Sequence, residues 1–213
     1  MEFERVSPSE IESRSFEIIG EELERMGVKL PEEKAFLIKR AIHTTADFDY
    51  ARTLVFSENA VPKLAALLRD GATVVTDTNM ALAGVNKSEL AKYGGSARCF
   101  MADPDVASEA QKRGATRAAV SMERAAALEQ PVVFAIGNAP TALIALRELY
   151  DSHVFTPSFI IGAPVGFVNV EAAKELILET PIPHIVNRGR KGGSAVAAAI
   201  CNAVLYEMRK GAL

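Results

Sequence analysis

The run from Arg40 to Asp47 contains the residues of this chain best suited to acid–base chemistry. His43 follows Arg40 by three residues and precedes Asp47 by four, so on a helix the three side chains share one face. A histidine with an ordinary pKa of about 6.5 gives or accepts protons near neutral pH. Asp47 could orient the ring by accepting its second N–H. The alternative is a helix-edge histidine without a chemical role, beside an exposed carboxylate, and the spacing does not decide between them.

The pattern around these residues predicts the elements that must position them. Helical periodicity precedes Gly71, with one helix opening at Pro31 and carrying His43. After Gly71, short β-rich runs alternate with helical segments, which requires crossover connections and a mainly parallel sheet with helices on both faces. We therefore predict an α/β fold: one three-layer α/β/α domain over residues 1–213, with a mainly parallel five-stranded sheet preceded by N-terminal helices. The predicted strands are Thr73–Thr76, Ala97–Met101, Val132–Ile136, Phe159–Ile161 and His184–Val186.

Loops rich in glycine, proline and asparagine follow several of these strands. Ligands of parallel sheets bind outside the carboxyl ends of the strands, where glycine lets the backbone approach them closely. Helices begin after three of the loops, so their first amides could face an anion. The alternative is that the glycines serve only the tight turns between strands and helices. The candidate binding residues in these loops are Gly137, Asn138, Gly192 and Gly193.

The loop after the last predicted strand is basic. Arg188, Arg190 and Lys191 stand beside two glycines, a composition suited to holding carboxylates or phosphates. The phosphate-binding motif Gly-x-x-x-x-Gly-Lys-Ser/Thr and the dinucleotide motif Gly-x-Gly-x-x-Gly are both missing from the chain. The Gly-x-Ser-x-Gly nucleophile motif is missing as well. The loop therefore predicts an anionic ligand without identifying a nucleotide.

Composition narrows the function further. The net charge of −3, from 24 cations and 27 anions, argues against a nucleic-acid-binding protein. The histidines are isolated in the sequence, so no metal site is predicted. Two widely spaced cysteines favour a reducing compartment. The charged start after Met1 is unlike a signal peptide, and no apolar run reaches the ~20 residues of a membrane span. A cytoplasmic enzyme without nucleic-acid or membrane partners is expected.

Five motifs, in order and across nearly the whole chain from Ile11 to Leu205, resemble the precorrin-8X methylmutase family. They are Ser15-Phe16-Glu17-Ile18-Ile19, Arg40-x-x-His43, Gly137-Asn138-Ala139-Pro140-Thr141-Ala142-Leu143, Gly162-x-Pro164-Val165-Gly166-Phe167-Val168 and Arg188-Gly189-Arg190-x-Gly192-Gly193-Ser194-Ala195. The resemblance implies an isomerase of corrin ring synthesis in the cobalamin pathway. Such an enzyme moves a methyl group from C-11 to C-12 of the macrocycle without a cofactor.

The resemblance also implies roles for individual residues. His43 matches the proton donor and acceptor, and Ser15 and Arg40 match positions that contact substrate. Arg117 matches an arginine expected near the pocket. Acetate and propionate groups on the substrate would explain clustered arginines in an acidic protein. The residues that follow His43 resemble members acting on cobalt-precorrin-8, whose metal belongs to the substrate. The family further implies a homodimer with the pocket near the subunit contact.

Two other functions remain open at this point. A non-catalytic tetrapyrrole carrier on the same scaffold would explain the arginines but would give His43 no task. A nucleotide or sugar-phosphate enzyme with a doubly wound sheet would fit the fold class, although its sequence motifs are missing.

Overall fold

The structure is a computed structural model that describes residues 5–8 and 10–213. Residues 1–4, which bear on the expectation that the chain has no signal peptide, lie outside the described part. Helix α1 (Ile11–Arg25) buries Ile19 and Leu23. It packs on helix α2 (Glu32–Thr45), which ends where Ala46 adopts the left-handed conformation with φ 54°. The predicted N-terminal helices are thus confirmed, and α2 carries His43 in its last turn.

Six strands form one sheet within the described residues. In chain order they are β1 (Leu54–Phe56), β2 (Thr73–Thr76), β3 (Ser96–Arg98), β4 (Val132–Ile136), β5 (Phe159–Gly162) and β6 (His184–Asn187). Their order across the sheet is β1-β6-β5-β4-β2-β3, and all neighbours are parallel except β1 and β6. The prediction of five strands was wrong because β1 spans only three residues, too few for a recognisable period. Its antiparallel pairing with β6 holds it at the edge of the sheet.

Helices cover both faces of this sheet. The remaining helices are α3 (Tyr50–Thr53), α4 (Ala60–Arg69), α5 (Asn79–Gly84), α6 (Lys87–Ala91), α7 (Pro104–Arg113), α8 (Arg117–Ala126), α9 (Pro140–Asp151), α10 (Val170–Leu178) and α11 (Ser194–Lys210). Successive strand residues point to opposite faces, so Val133 and Phe134 of β4 enter separate cores. Helices α2, α4 and α11 belong to one core, and α7 to α10 belong to the other. The predicted three-layer α/β/α arrangement is confirmed.

The carboxyl ends of the four central strands meet at one edge of the sheet. The segments that follow them, here called the edge loops, are residues 77–78, 137–139, 163–168 and 188–193. Antiparallel β1 begins at this edge, with Leu54 opposite Asn187. The segment from the end of α2 to β1 therefore reaches the edge loops. Within the described residues, no helix has the length and apolar character needed to cross a bilayer.

Candidate active site

His43 presents an exposed imidazole at the C-terminal end of α2. Its ring meets the half-buried ring of Phe16 edge to face, with centroids 5.5 Å apart and an interplanar angle of 86°. Phe16 comes from α1, so the packing of α1 against α2 supports one side of the imidazole. Among the described residues, the His43 side chain is otherwise exposed and can meet a ligand. An exposed ring supported on a rigid helix satisfies the geometric needs of a proton donor or acceptor.

Arg40 lies one turn before His43 and is 9% exposed. Its guanidinium stacks over Phe16 at 4.8 Å and over Tyr206 of α11 at 5.3 Å, measured to the ring centroids. Its two terminal nitrogens donate to the carboxylate of Glu12 at 2.7 and 2.8 Å. Phe16 is thereby held between Arg40 and His43. These hydrogen bonds lower the pKa of Glu12, which keeps its carboxylate ionised at neutral pH.

Asp47 does not share a helical face with His43, which corrects the expectation from spacing. Helix α2 ends at Thr45, and the left-handed Ala46 turns the chain before Asp47 is reached. The Asp47 carboxylate lies 2.6 Å from the Lys191 ammonium and accepts the Asp49 amide at 3.0 Å. Its hydrogen bond with Lys191 lowers the pKa of Asp47. Because its carboxylate is committed to these partners, Asp47 serves to join the end of α2 to the basic edge loop.

The arginines of the basic loop are exposed and paired with helix α10. Arg188 donates to Glu175 at 3.0 and 3.3 Å, and Arg190 donates to Glu171 at 2.7 Å. The Arg190 guanidinium also lies 5.6 Å from the ring centroid of Phe167, a side chain that is 82% exposed. Exposed ion pairs of this kind contribute little to stability. Both guanidinium groups can therefore exchange their partners for a carboxylate of a ligand at small cost.

The backbone of the same loop, in contrast, is held by buried side chains. The Lys174 ammonium, fully buried on α10, donates to the carbonyls of Gly189 at 2.6 Å and Lys191 at 2.8 Å. The buried Asn187 amide donates to the Lys191 carbonyl at 2.8 Å, and its oxygen accepts from Thr53 at 2.7 Å. Burial lowers the pKa of Lys174 to about 8. These buried hydrogen bonds hold the backbone of the loop in place, while its cationic side chains stay exposed.

Asp77 binds the backbone amides of the loop that precedes α9. Its buried carboxylate accepts the amides of Gly137 at 2.9 Å, Asn138 at 2.7 Å and Ala139 at 2.6 Å. Burial raises the pKa of Asp77, while these amides act in the opposite direction. These three amides precede the first helical residue, Pro140, so the internal carboxylate uses loop amides, and the expectation for the first amides of the helix itself stays a prediction.

Two of the candidate glycines are needed for contact between neighbouring loops. A Cβ atom on Gly137 would lie 2.6 Å from the Cα atom of Ser194, and one on Gly192 would lie 2.1 Å from the carbonyl oxygen of Ala163. The Gly193 amide donates to that same oxygen at 2.8 Å. The structural role of these glycines, left open by the sequence, is therefore real, whatever they contact in a complex.

The other predicted site residues lie apart from each other. Ser15 is adjacent to Phe16 on α1, and its hydroxyl donates to the Ile11 carbonyl at 2.8 Å. Arg117 begins α8, is exposed, and reaches the Met101 carbonyl at 3.4 Å. Within the described residues, no group of three or more histidine, cysteine, aspartate or glutamate side chains could hold a metal ion.

Sequence reasoning missed several side chains that build this site. Glu12 and Tyr206 come from helices far from Arg40 in the chain, and no local spacing signals their contact. Lys174 lies within an apolar helical stripe, where a lysine is unexpected. Its position in the stripe was the one sequence signal that this lysine is buried and bonded. Asp77 stands directly after a predicted strand, which placed it at the right edge without indicating its partners.

The fold and these residues define a class: an α/β protein with an exposed imidazole on a helix and exposed, ion-paired arginines in a loop of the sheet. The family model described as precorrin-8X methylmutase matches residues 10–207. The cobalt-precorrin-8 methylmutase of Salmonella typhimurium (strain LT2) is 44% identical over 210 residues, covering 95% of this chain and 97% of the relative. The precorrin-8X methylmutase of Pseudomonas aeruginosa is 37% identical, covering 91% and 93%.

A solved structure agrees. The crystal structure of precorrin-8X methylmutase from Thermus thermophilus has a TM-score of 0.85 and 33% identity to this chain, covering 96% of it and 100% of the Thermus chain. The chain belongs to the precorrin-8X methylmutase family. It is an isomerase, an intramolecular methyl transferase of cobalamin biosynthesis, and its family implies a corrinoid substrate. The carrier and nucleotide-enzyme alternatives lose their support.

Proposed function

We propose that this chain moves the methyl group on C-11 of cobalt-precorrin-8 to C-12, with His43 as the proton donor and acceptor. The observation that carries the proposal is the exposed imidazole at the end of α2, supported on one side by Phe16. In the shift, the bond from the methyl carbon to C-11 breaks as its bond to C-12 forms, and the ring double bonds rearrange. No oxidant or reductant is consumed.

The chemical demand on the protein is small but specific. The macrocycle must be held in one orientation, and a proton must be supplied to polarise its conjugated system and then be taken back. Among the described residues, no carboxylate is hydrogen-bonded to His43, so its ring nitrogens are available to a ligand. Acid–base assistance of this kind contributes about 10²–10⁴-fold to a rate.

The cobalt-containing substrate is supported by the names of similar proteins. Relatives from Salmonella typhimurium (44% identical) and Priestia megaterium (40% identical) are cobalt-precorrin-8 methylmutases, whereas the relative from Pseudomonas aeruginosa (37% identical) is a precorrin-8X methylmutase. The cobalt would belong to the substrate. Use of no cofactor, a location in the cytoplasm, a single domain and a homodimer with its pocket near the subunit contact remain predictions.

The predicted binding residues divide into two roles under this proposal. Guanidinium groups would pair with the acetate and propionate groups of the ring, and loop residues would shape the edge that the ring meets. Ser15 would line the α1 side of the pocket. The groups proposed to pair with carboxylates are those of Arg40, Arg117, Arg188 and Arg190, and the shaping residues are Gly137, Asn138, Gly192 and Gly193.

A matched pair of substitutions tests the role of His43. We expect His43→Asn to bind the corrinoid but to lower kcat by about 10²–10⁴-fold, because asparagine cannot transfer a proton. His153→Asn is the control, since His153 is exposed in a turn after α9 and has φ 56°, which asparagine tolerates. Conversion is followed by the absorbance change of the macrocycle. A wild-type rate in His43→Asn would disprove the assignment.

A further inference from the structure

The guanidinium of Arg40 is enclosed except along one edge, and Glu12 covers that edge. Phe16 and Tyr206 stack on it, and both terminal nitrogens donate to the Glu12 carboxylate. The Arg40 side chain is 11% exposed, whereas that of Glu12 is 53% exposed. Among the described residues, Glu12 is the carboxylate bound to this fork, and a ligand carboxylate that used the fork would take its place.

The position of the Glu12 carboxylate is suited to an anion from any source. After the hydrogen bonds from Arg40, electrostatic interactions with His43 and Lys210 also lower the pKa of Glu12, so both side chains lie close enough to act on it. A ligand carboxylate in this position would be held bidentately by Arg40, the strong geometry for a guanidinium. It would also bring the rest of the ligand beside His43.

Replacing Glu12 costs little. Its side chain stands in the first turn of α1 and is half exposed, so a change of rotamer moves the carboxylate into water without moving the helix. Water at the exposed Glu12 carboxylate screens its attraction to Arg40. The released carboxylate regains full hydration, and the incoming one keeps both hydrogen bonds of Arg40.

We propose that Glu12 is a stand-in for a carboxylate of the substrate: it occupies the fork of Arg40 in the free enzyme and is displaced when the corrinoid binds. Glu12 thereby lowers the affinity for the corrinoid and keeps Arg40 stacked and in place until binding. The inference rests on the proposed function, in which Arg40 contacts an acetate or propionate group of the ring.

The competing interpretation is that Glu12 merely positions Arg40. The two roles predict opposite signs. A positioning residue, when neutralised, weakens ligand binding together with stability. A stand-in, when neutralised, strengthens ligand binding while the protein loses the ion pair and becomes slightly less stable.

The experiment compares Glu12→Gln with Glu17→Gln. Glu17 is on the same helix and also pairs with an arginine, Arg14, at 3.2 Å, so the control removes the same charge from a similar pair. The probe is the polycarboxylate corrinoid made by full hydrolysis of cobalamin, with binding measured by equilibrium dialysis and stability by thermal unfolding. We expect Glu12→Gln to lower the Kd roughly three- to tenfold. Glu17→Gln should change it less than about twofold.

An Arg40→Gln background completes the test. There the added Glu12→Gln change should have no more effect on Kd than Glu17→Gln has, because the fork for which the two carboxylates compete is gone. An unchanged or raised Kd in Glu12→Gln, or an equal drop in Glu17→Gln, would overturn the proposal. Failure of the wild-type protein to convert cobalt-precorrin-8 would instead refute the proposed function. The Kd values of the two variants would still show whether Glu12 competes with a ligand carboxylate for Arg40.

Discussion

The helical cluster of Glu12, Phe16, Arg40 and His43 and the edge loops solve opposite problems. In the edge loops, buried charged groups bind backbone atoms: Asp77 accepts three amides and Lys174 donates to two carbonyls. In the helical cluster, side chains bind other side chains, and both His43 and Glu12 are exposed. The first arrangement fixes a shape, and the second leaves groups that can change partner.

This difference indicates that the edge loops mainly hold the shape of the site, whereas the helical cluster offers the side chains that can meet a ligand. Glycine-rich loops after parallel strands suggest a ligand site, yet here many of their polar backbone groups are already satisfied internally. Buried donors and acceptors that have partners are costly to disturb. The exposed imidazole of His43 stands instead on helix α2, whose end is joined to the loops through Asp47 and Lys191 at 2.6 Å. Substitutions that disturb the backbone of these loops should therefore act mainly on stability.

The largest such effect is expected for Gly192→Ala. Its Cβ would lie 2.1 Å from the Ala163 carbonyl oxygen, and the clash is with backbone, which cannot move aside. We expect a loss of roughly 3 kcal/mol in the free energy of unfolding. Gly189→Ala in the same loop is the control: its Cβ meets nothing within 4 Å, so only the cost of φ +74°, about 1 kcal/mol, remains. Both free energies of unfolding are measured with denaturant, and equal losses in the two variants would contradict the close packing of Gly192 against Ala163.

An intermediate effect with a pH signature is expected for Lys174→Met. Removing the ammonium leaves the Gly189 carbonyl without its buried donor and leaves the Lys191 carbonyl with that of Asn187 alone, which costs about 1–3 kcal/mol. Lys174 has a pKa of about 8 in the folded protein and about 10.4 when unfolded. Between these values the unfolded state binds the extra proton, so this residue makes stability rise with pH.

The difference in the free energy of unfolding between wild type and Lys174→Met should therefore grow from about pH 8 to about pH 10.4. Urea unfolding of both proteins across this window measures it. Lys92→Met is the control, because its ammonium is exposed and pairs with Glu89 at 2.9 Å. A deficit independent of pH would mean that Lys174 stays charged in the folded protein.

The smallest effect is expected for Asp47→Asn. Because its carboxylate binds Lys191 and not His43, the pH–rate profile of the methyl shift should not move. Stability should fall by less than about 1 kcal/mol, and Asp49→Asn, which loses the other contact of Lys191 at 2.5 Å, should behave alike. A shifted pH–rate profile in Asp47→Asn alone would restore Asp47 as the group that orients His43. Asp47 would then belong functionally to the helical cluster and not to the edge loops.

Some features could be predicted from local sequence because local rules control them. The helix around His43 follows from its period, and strands β2, β4, β5 and β6 follow from short apolar runs bounded by turns. Strand β1 escaped because three residues carry no period. The position of Asp47 was misjudged for a local reason as well: spacing assumes that the helix continues, and a left-handed Ala46 ends it.

The ion-pair partners of these side chains could not be predicted from the sequence. Arg40 and Glu12 are 28 residues apart, and Lys191 and Asp49 are 142 residues apart, so only the packing of α1 on α2 and of the basic loop on the end of α2 brings them together. The sequence by itself determined the α/β class, the exposed imidazole and the supply of arginines. Tertiary structure alone decided which charges are locked and which are exchangeable, because burial and long-range contact set the cost of separating each pair.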